Sequence, residues 1–477
     1  MKISFINPAP NETRLEGENM NVAACPPLGI LYLASTLGAN GFEVSVLDHA
    51  AEGMSIKEVA DWVVKEDPDV LGLSVLVTSS LIAPKIAEEV KKIKPDMPIV
   101  FGNHHATFNA ERILRKYPFV DIVVRGEGEH TCLELLNCLK EGRSIKDVLG
   151  ISFRHDGGVV SNPDRPLIKD IDALPFPQRD LIDAEYHNTT VGIDVAPKKF
   201  TSFLSSRGCV FNCRFCGCTS IAKNRWRARS IENIMDELHL LASEGYEQIF
   251  FVDDNFTLNH KRVVDLCRRM REEKLDIEWF CEGRVDQASY DTFREMVKAG
   301  CRIMYFGIES GAQKVLDYYD KRITPEQSKE AVEKARKAGF DVIAGSFILG
   351  APNETKADIQ ETLGFIKRLN LDVPQINILS VVPGNAIWDE LKEKQMFDED
   401  KYWERGFWIS DVCPNVVTAD EVRMMVRDFY RSYIWSTKYI AKQVWLTMKS
   451  QYRLNVLYNS LKTVNKTINN ISNYITL

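Results

Sequence analysis

No run of 18 apolar residues occurs anywhere in this 477-residue chain, so no stretch reads as a membrane-spanning helix. Positive charge is not in excess: 60 Lys and Arg stand against 67 Asp and Glu, a net charge of −7, which gives no basic footprint for nucleic acid, and no nucleic-acid partner is expected. Cysteine is sparse, and its count of 11 is odd and spread over a long chain, which excludes a disulfide framework. Met1 runs directly into a short apolar stretch, Ile3–Ile6, with no positively charged segment ahead of a longer apolar core, so no signal peptide is expected and the cytoplasm is the expected compartment. What the chain does have is 45% apolar residues, ample for sizeable cores in two or three domains.

Three cysteines are crowded into one loop, Cys209-Val-Phe-Asn-Cys213-Arg-Phe-Cys216, directly after the strand-like run Thr201–Ser206. At spacings of four and three residues the thiolates can converge on one cluster, and Cys is the soft ligand that iron–sulfur clusters use. A four-iron cube has four corners. Three cysteines therefore leave one iron without a protein ligand, open as the fourth position of a catalytic zinc is open. The rival is a structural zinc, which normally takes four ligands, commonly as two pairs; no second pair lies nearby. Cys218, two residues beyond Cys216, would strain a common cubane and is read as a free thiol.

The triplet, its strand-to-helix setting and the aromatic Phe215 before the last cysteine closely resemble the radical S-adenosylmethionine (SAM) family. The resemblance implies a 4Fe-4S cluster on Cys209, Cys213 and Cys216, and SAM bound to the open iron through its amino and carboxylate groups. It also implies an electron from the cluster that cleaves SAM to methionine and a 5′-deoxyadenosyl radical, and an external electron donor such as flavodoxin or ferredoxin.

Upstream, short apolar runs at Ile3–Asn7, Glu43–Leu47, Val70–Val77, Ile99–Gly102 and Ile122–Val124 alternate with helix-period segments. That is the pattern of an α/β, doubly wound, Rossmann-like parallel sheet, whose ligands sit at the carboxyl ends of the strands. The unusual residues lie at those ends: Ser74-Val75-Leu76, Gly102-Asn103-His104-His105 and Arg125-Gly126-Glu127-Gly128-Glu129. Glycine there lets backbone approach a large ligand. A bare flavodoxin-like domain is the plain reading. The S-x-L and the glycine turn at matching distance, upstream of the cysteine triplet, resemble the cobalamin-binding domain of cobalamin-dependent radical SAM enzymes. Ser74, Leu76, Gly102, Asn103, Gly126, Glu127 and Gly128 are the contacts the resemblance implies. The chain departs from the wider cobalamin pattern after its first strand, where Asn7-Pro8-Ala9-Pro10 stands in place of a D-x-H-x-x-G loop whose His ligates cobalt. The expectation is cobalamin without a lower histidine ligand, with His49, His104 and His105 as hydrogen-bonding loop residues; a degenerate domain without cobalamin is the rival.

Val148–Ser161, centred on Asp156-Gly157-Gly158, reads as a β-hairpin, and Leu174-Pro175-Phe176-Pro177 as part of a linker. Beyond it strand-like runs recur at Thr201–Ser206, Gln248–Val252, Ile277–Phe280, Ile303–Ile308, Val342–Leu349 and Ile376–Val382, separated by helical stretches. This predicts a partial, TIM-like (β/α)6 barrel, since a full eight-unit barrel takes about 250 residues. Polar groups again follow the strands: Asp253-Asp254, Glu282 and Arg284, Gly307-Ile308-Glu309-Ser310-Gly311, and Gly350-Ala351-Pro352-Asn353-Glu354-Thr355. The family resemblance extends to them and implies SAM contacts at Asp253, Asp254, Arg284, Glu309, Ser310, Gly350 and Pro352. Taken singly, the aspartates read as caps for the next turn and Glu354-Thr355 as a helix start.

The last ninety residues gather aromatics at Trp388, Tyr402, Trp403, Phe407 and Trp408, and carry no Asp or Glu after Asp428. They are read as helices that cap the barrel and shield the radical from water; a basic amphipathic surface for anionic lipid, hence peripheral membrane contact, is the second reading. The expected organisation is a cobalamin-binding domain over 1–145, hairpin and linker over 146–195, a radical SAM partial barrel over 196–385 and a helical carboxy-terminal region over 386–477. The expected function is a radical SAM enzyme that uses cobalamin to methylate an unactivated carbon. A radical cyclase acting on a lipid, isoprenoid or tetrapyrrole is the alternative, and a non-catalytic cobalamin- or SAM-sensing module the second. An intact cysteine triplet argues against a sensor, which has no use for an open iron. The aromatic density suggests a large apolar or lipid-like small molecule as substrate.

Overall fold

Each short apolar run of the amino-terminal third becomes a strand of one sheet in the computed structural model, which describes residues 1–11, 25–184, 186, 189–190, 193–194, 198–405 and 417–462. β1 (Lys2–Asn7), β2 (Glu43–Asp48), β3 (Val70–Ser74), β4 (Ile99–Gly102) and β5 (Ile122–Val124) are parallel, in the order β2-β1-β3-β4-β5. Their continuous apolar character follows from helices on both faces, which bury both sides of a parallel sheet. The hairpin β6 (Ile151–His155) and β7 (Gly158–Ser161) adds antiparallel to β5, so the hairpin read from Asp156-Gly157 extends this sheet. β3 stops at Ser74, three residues short of the apolar run, because the chain turns there into a single turn of 3₁₀ helix at Val77–Ser79.

By its contacts the chain divides into two units. One comprises Met1–Tyr186 with Val382–Lys392 and Asp398–Trp408; the other comprises His187–Val381, Glu393–Phe397 and Ile409–Leu477. Trp403 belongs to the first unit. It is fully buried there, its ring centroid 5.2 Å from that of His105, and is a packing residue. Phe407 and Trp408 lie outside the described residues.

The second unit opens with a two-residue ladder, β8 (Thr189–Thr190) and β9 (Ile193–Asp194). After β10 (Phe200–Phe203) comes a second small ladder, β11 (Ser206–Arg207) with β12 (Arg227–Ala228). β13 (Gln248–Phe251), β14 (Glu278–Arg284), β15 (Cys301–Glu309), β16 (Val342–Leu349) and β17 (Val373–Ile378) complete a six-stranded parallel sheet, β10-β13-β14-β15-β16-β17. Four of the intervening helices start at Ser or Thr caps, and His260–Glu272 at Asn259. Ser230, Ser289, Thr324 and Thr355 each accept a bond from the backbone three residues on. Phe251, Phe256, Trp279, Phe293 and Phe306 fill the core between sheet and helices.

The strands that differ from the sequence reading include β10, which ends at Phe203 and leaves Ser206 to β11, and two more. β14 runs on to Arg284, so Glu282 and Arg284 are its last residues and do not follow it. β17 begins at Val373 and includes Pro374, which an edge strand tolerates because its outer N–H row has no strand partner. Tyr430 occupies that edge, its hydroxyl accepting from Ile376 N and donating to Pro374 O, both at 3.0 Å.

The helices Thr437–Met448 and Gln451–Lys462 do cap the barrel, but at the mouth opposite the cysteine loop, while Ala419–Ile434 runs along the β17 edge from Leu349 and Lys356 at its start to Leu371 near its end. Tyr452 packs on Ile303, Phe280 and Val342 near the amino ends of their strands. Asp372, just ahead of β17, lies between Arg336, Arg453 at 2.9 Å and Lys442 at 3.5 Å. The helices Thr437–Met448 and Gln451–Lys462 therefore do not form the expected shield over the cluster loop.

Candidate functional site

The cysteine loop hangs from β10 by carboxylates at the end of β13. Asp253, fully buried, accepts from Ser205 N at 2.8 Å and from the Ser205 hydroxyl at 2.6 Å, and also holds Ser206. Asp254 accepts from Gly208 N at 2.8 Å. Burial pushes the Asp253 carboxyl up, against the three bonds and Arg262 that pull it down. Gly208 sits at φ 85°, and a Cβ there would lie 2.1 Å from Arg225 O, so only glycine lets the chain turn into the loop.

From the other side, Arg284 at the end of β14 fixes the middle of the loop. Its guanidinium lies 3.7 Å from the centroid of the Phe211 ring, donates to Cys213 Sγ at 3.5 Å and to Lys321 O at 2.6 Å, and forks onto Asp286 at 2.9 and 3.0 Å. Arg214 N donates to Tyr319 O at 2.9 Å, and Phe215 stands edge-on to Tyr319 at 5.1 Å. Burial pushes the Cys209 and Cys213 thiols up, with Lys321 and Arg284 opposing this at Cys213. Cys216 is pulled down to about 7 by the Cys218 thiol, with help from the backbone N–H groups of Cys218 and Thr219, while Cys218 is pushed up. Cys218, read from sequence as a free thiol, forms no disulfide but is a hydrogen-bond partner of Cys216.

The G-I-E-S segment closes the same end. Glu309 is the last residue of β15, buried, at φ 66° beside a register shift in the β15–β16 ladder. A bulky residue in the left-handed region is strained and persists only where its surroundings hold it. Here the holder is Lys321, also buried, 2.7 Å from Glu309 Oε1. A Cβ on Gly307 would come within 2.6 Å of Glu309 Oε1 and 2.9 Å of Lys321 Nζ, so the glycine makes room for the pair. Ser310 Oγ and Gly311 N both bond Thr362 Oγ1, at 2.9 and 3.1 Å. After β16, Gly350 at φ 92° and Ala351 donate their N–H groups to Glu354, whose carboxyl burial pushes up to about 7; Pro352 is half-buried in this turn. Glu282 retains open surface although protein surrounds it densely enough to push its carboxyl up to about 7, with Glu309 and Asp254 adding to the burial. A group both wetted and enclosed lines a concave lumen, and Tyr305 is its register neighbour on β15.

In the first unit the expected residues gather at the carboxyl ends of β3, β4 and β5, the edge on which such sheets hold ligands, beginning beside the β1/β3 point where the strand order reverses. Asn103, at φ 77°, donates to Ser74 Oγ at 2.8 Å, tying β3 to β4. Leu76 is 40% exposed, an apolar side chain displayed at that edge. A Cβ on Gly102 would meet only Val124 O at 3.8 Å, and one on Gly126 nothing within 4 Å, so both leave open space above the edge. Glu127 is turned to Ile168 N at 2.7 Å, and Gly128 lets the chain pass close to Leu33. His49 uses both ring nitrogens within the chain, on Ala9 N and Met54 O, and His104 Nδ1 bonds Asn103 Oδ1 at 2.9 Å. His105 is buried, which pulls its imidazole down to about 3 and keeps it neutral.

The donor set fits an iron–sulfur cluster: three thiols in one anchored loop, none in a disulfide, with Arg284 and Lys321 to offset thiolate charge. Among the described residues no three His, Cys, Asp or Glu side chains are gathered on one point, and a cubane needs its thiolates spread around it. The open glycine edge of the first unit fits a large planar ligand. Sequence reasoning missed Lys321, Phe211, Tyr319 and the two serines. Lys321 stands in Asp320-Lys321-Arg322, which reads as a solvated charge run, and only the fold brings it to Glu309.

A family model described as the Radical SAM superfamily matches residues 203–366, and one described as the B12 binding domain matches residues 22–136. An uncharacterized methyltransferase of Pyrococcus horikoshii is 35% identical over 421 residues, 88% of this chain and 90% of the relative. An anaerobic magnesium-protoporphyrin IX monomethyl ester cyclase of Rubrivivax gelatinosus is 28% identical over 429 residues, 87% of this chain and 75% of the relative. Among solved structures, the radical SAM methyltransferase TsrM of Kitasatospora setae, with cobalamin and a 4Fe-4S cluster bound, matches with a TM-score of 0.66 at 18% identity over 82% of this chain and 75% of that one. That likeness is one of fold.

Proposed function

The chain belongs to the radical SAM family, in the form that carries an amino-terminal B12-binding domain, and from this membership we propose that it methylates an unactivated carbon of a small-molecule substrate. The match to a methyltransferase over 90% of that relative's length carries the reading. When bound, the cluster supplies the electron for SAM cleavage and cobalamin supplies the methyl group. Cys209, Cys213 and Cys216 would hold the cluster. Asp253, Asp254 and Arg284 fix the loop that presents them, through Ser205, Ser206, Gly208 and Phe211. Lys321 keeps Glu309 turned to the same end of the barrel, and Glu354 sets the Gly350-Ala351-Pro352 turn beside it. In the first unit Ser74, Leu76, Gly102, Asn103, Gly126, Glu127 and Gly128 would hold cobalamin. The electron comes from outside, from a donor of the flavodoxin or ferredoxin kind.

Reconstituted anaerobically with hydroxocobalamin, methyl-deuterated SAM and a reductant, the protein should move the label onto the corrinoid and form 5′-deoxyadenosine. Formation of neither would sink the proposal. The similarity to the Rubrivivax cyclase favours a second reading, radical cyclisation, under which 5′-deoxyadenosine forms while the deuterated methyl stays on methionine.

A further inference from the structure

The helix Thr437–Met448 is built inside out. Its polar side chains face the barrel: Tyr439 Oη donates to Asp372 O at 2.7 Å, Lys442 reaches Leu371 O and Asp372, and Gln443 accepts from Arg453 at 2.8 Å. Its large apolar side chains face outward, with Ile440, Val444, Trp445 and Met448 all exposed and Met448 at 66%. Trp435, just ahead of it, is 73% exposed, and Leu457 and Tyr458 continue the display on the next helix. Of the fifteen large apolar residues exposed among the described residues, nine lie between Met424 and Tyr458. A contiguous apolar display of this kind marks a docking surface.

Charge selects the occupant. No Asp or Glu follows Asp428, and with Lys442 and Arg453 turned inward onto Asp372, the outward cations Arg431, Lys438 and Lys449 flank the apolar residues. Lys449 lies 3.8 Å over the Trp445 ring, which places a cation and an interfacial aromatic at one level. A second copy of this face would set cation against cation across a two-fold interface. A convex helical face needs a matching groove on a protein, whereas a lipid surface accepts it as it is. No helix among the described residues is long and apolar enough to cross a membrane. We propose that the helix pair Thr437–Met448 and Gln451–Lys462 lies on the surface of an anionic membrane, its apolar face in the headgroup boundary and its cations among the phosphates. Because these helices occupy the mouth opposite the cysteine loop, the contact anchors the enzyme and does not admit substrate.

Co-flotation of the full chain with vesicles tests this. Binding to phosphatidylcholine/phosphatidylglycerol vesicles should exceed binding to phosphatidylcholine alone by about 10- to 100-fold and fall with salt, as expected for three cations near the surface. The double variant Val444→Glu/Met448→Glu should lose it while keeping its circular dichroism spectrum and iron–sulfur absorbance; Leu240→Glu, at an exposed apolar site elsewhere, should bind as the parent does. The proposal is overturned if the parent does not float with anionic vesicles, or if the double variant floats equally well. A concentration-dependent dimer that the double variant abolishes, without flotation, would assign the face to a second copy and overturn it too.

Discussion

The two mouths of the barrel use carboxylates in opposite ways. At the carboxyl ends of the strands, Asp253, Asp254 and Glu354 accept backbone N–H and hydroxyl bonds, fixing loops while leaving the lumen beside Glu282 open. At the amino ends Asp372 is enclosed by Arg336, Lys442 and Arg453 and sealed under helices. The surrounding cations hold its carboxyl below the ordinary range even though burial pulls the other way, whereas Lys442 is pulled down to about 8 by burial. One end is built to hold loops in place around something else; the other is built to be shut.

The largest test of that contrast is the cysteine loop. Cys209→Ala, Cys213→Ala and Cys216→Ala should each lose iron–sulfur absorbance or all SAM cleavage, with no effect on hydrogen exchange in the helix Thr437–Met448. Gly208→Ala comes next: the clash with Arg225 O and the positive φ impose strain on the order of 1–3 kcal/mol in the loop, so cluster content after reconstitution should drop while the global fold persists. Asp372→Asn tests the closed end. Leaving buried Arg453 and half-buried Arg336 and Lys442 uncompensated should cost about 3–5 kcal/mol in urea unfolding and speed exchange in the carboxy-terminal helices, with iron–sulfur absorbance kept. Loss of the cluster in that variant would break the comparison.

A smaller effect separates the two ends by pH. The Glu354 carboxyl is raised by burial from 4.5 to about 7, so its contribution is fully present below 4.5 and is lost as pH rises through 7. Glu354→Gln should flatten that part of the stability curve, by on the order of 3 kcal/mol at most, whereas Asp372, with its lowered carboxyl, contributes above 3.8 and loses its contribution as pH falls. Urea midpoints at about pH 5 and about pH 8 decide it. The smallest effect is that of Cys218→Ala, which removes a hydrogen bond to Cys216 and should leave cluster and SAM cleavage largely intact.

The sequence by itself determined what depends on local pattern. The spacing of Cys209, Cys213 and Cys216, the order of strands and helices in both units, and the glycines at strand ends are all set by side-chain type and period, and each was legible before any fold was known. Only tertiary structure decided what depends on residues far apart in the chain. Lys321 reaches Glu309 because a positive φ at the end of β15 turns the carboxylate inward. Arg284 reaches Phe211 and Cys213 because β14 runs four residues beyond its apolar stretch. The acid-free tail read as a lid on the site became a plug at the far mouth, because Asp372, isolated in sequence, is where Lys442 and Arg453 find their counter-charge. A buried charge must be paired, and its partner is chosen by packing, which no local pattern records.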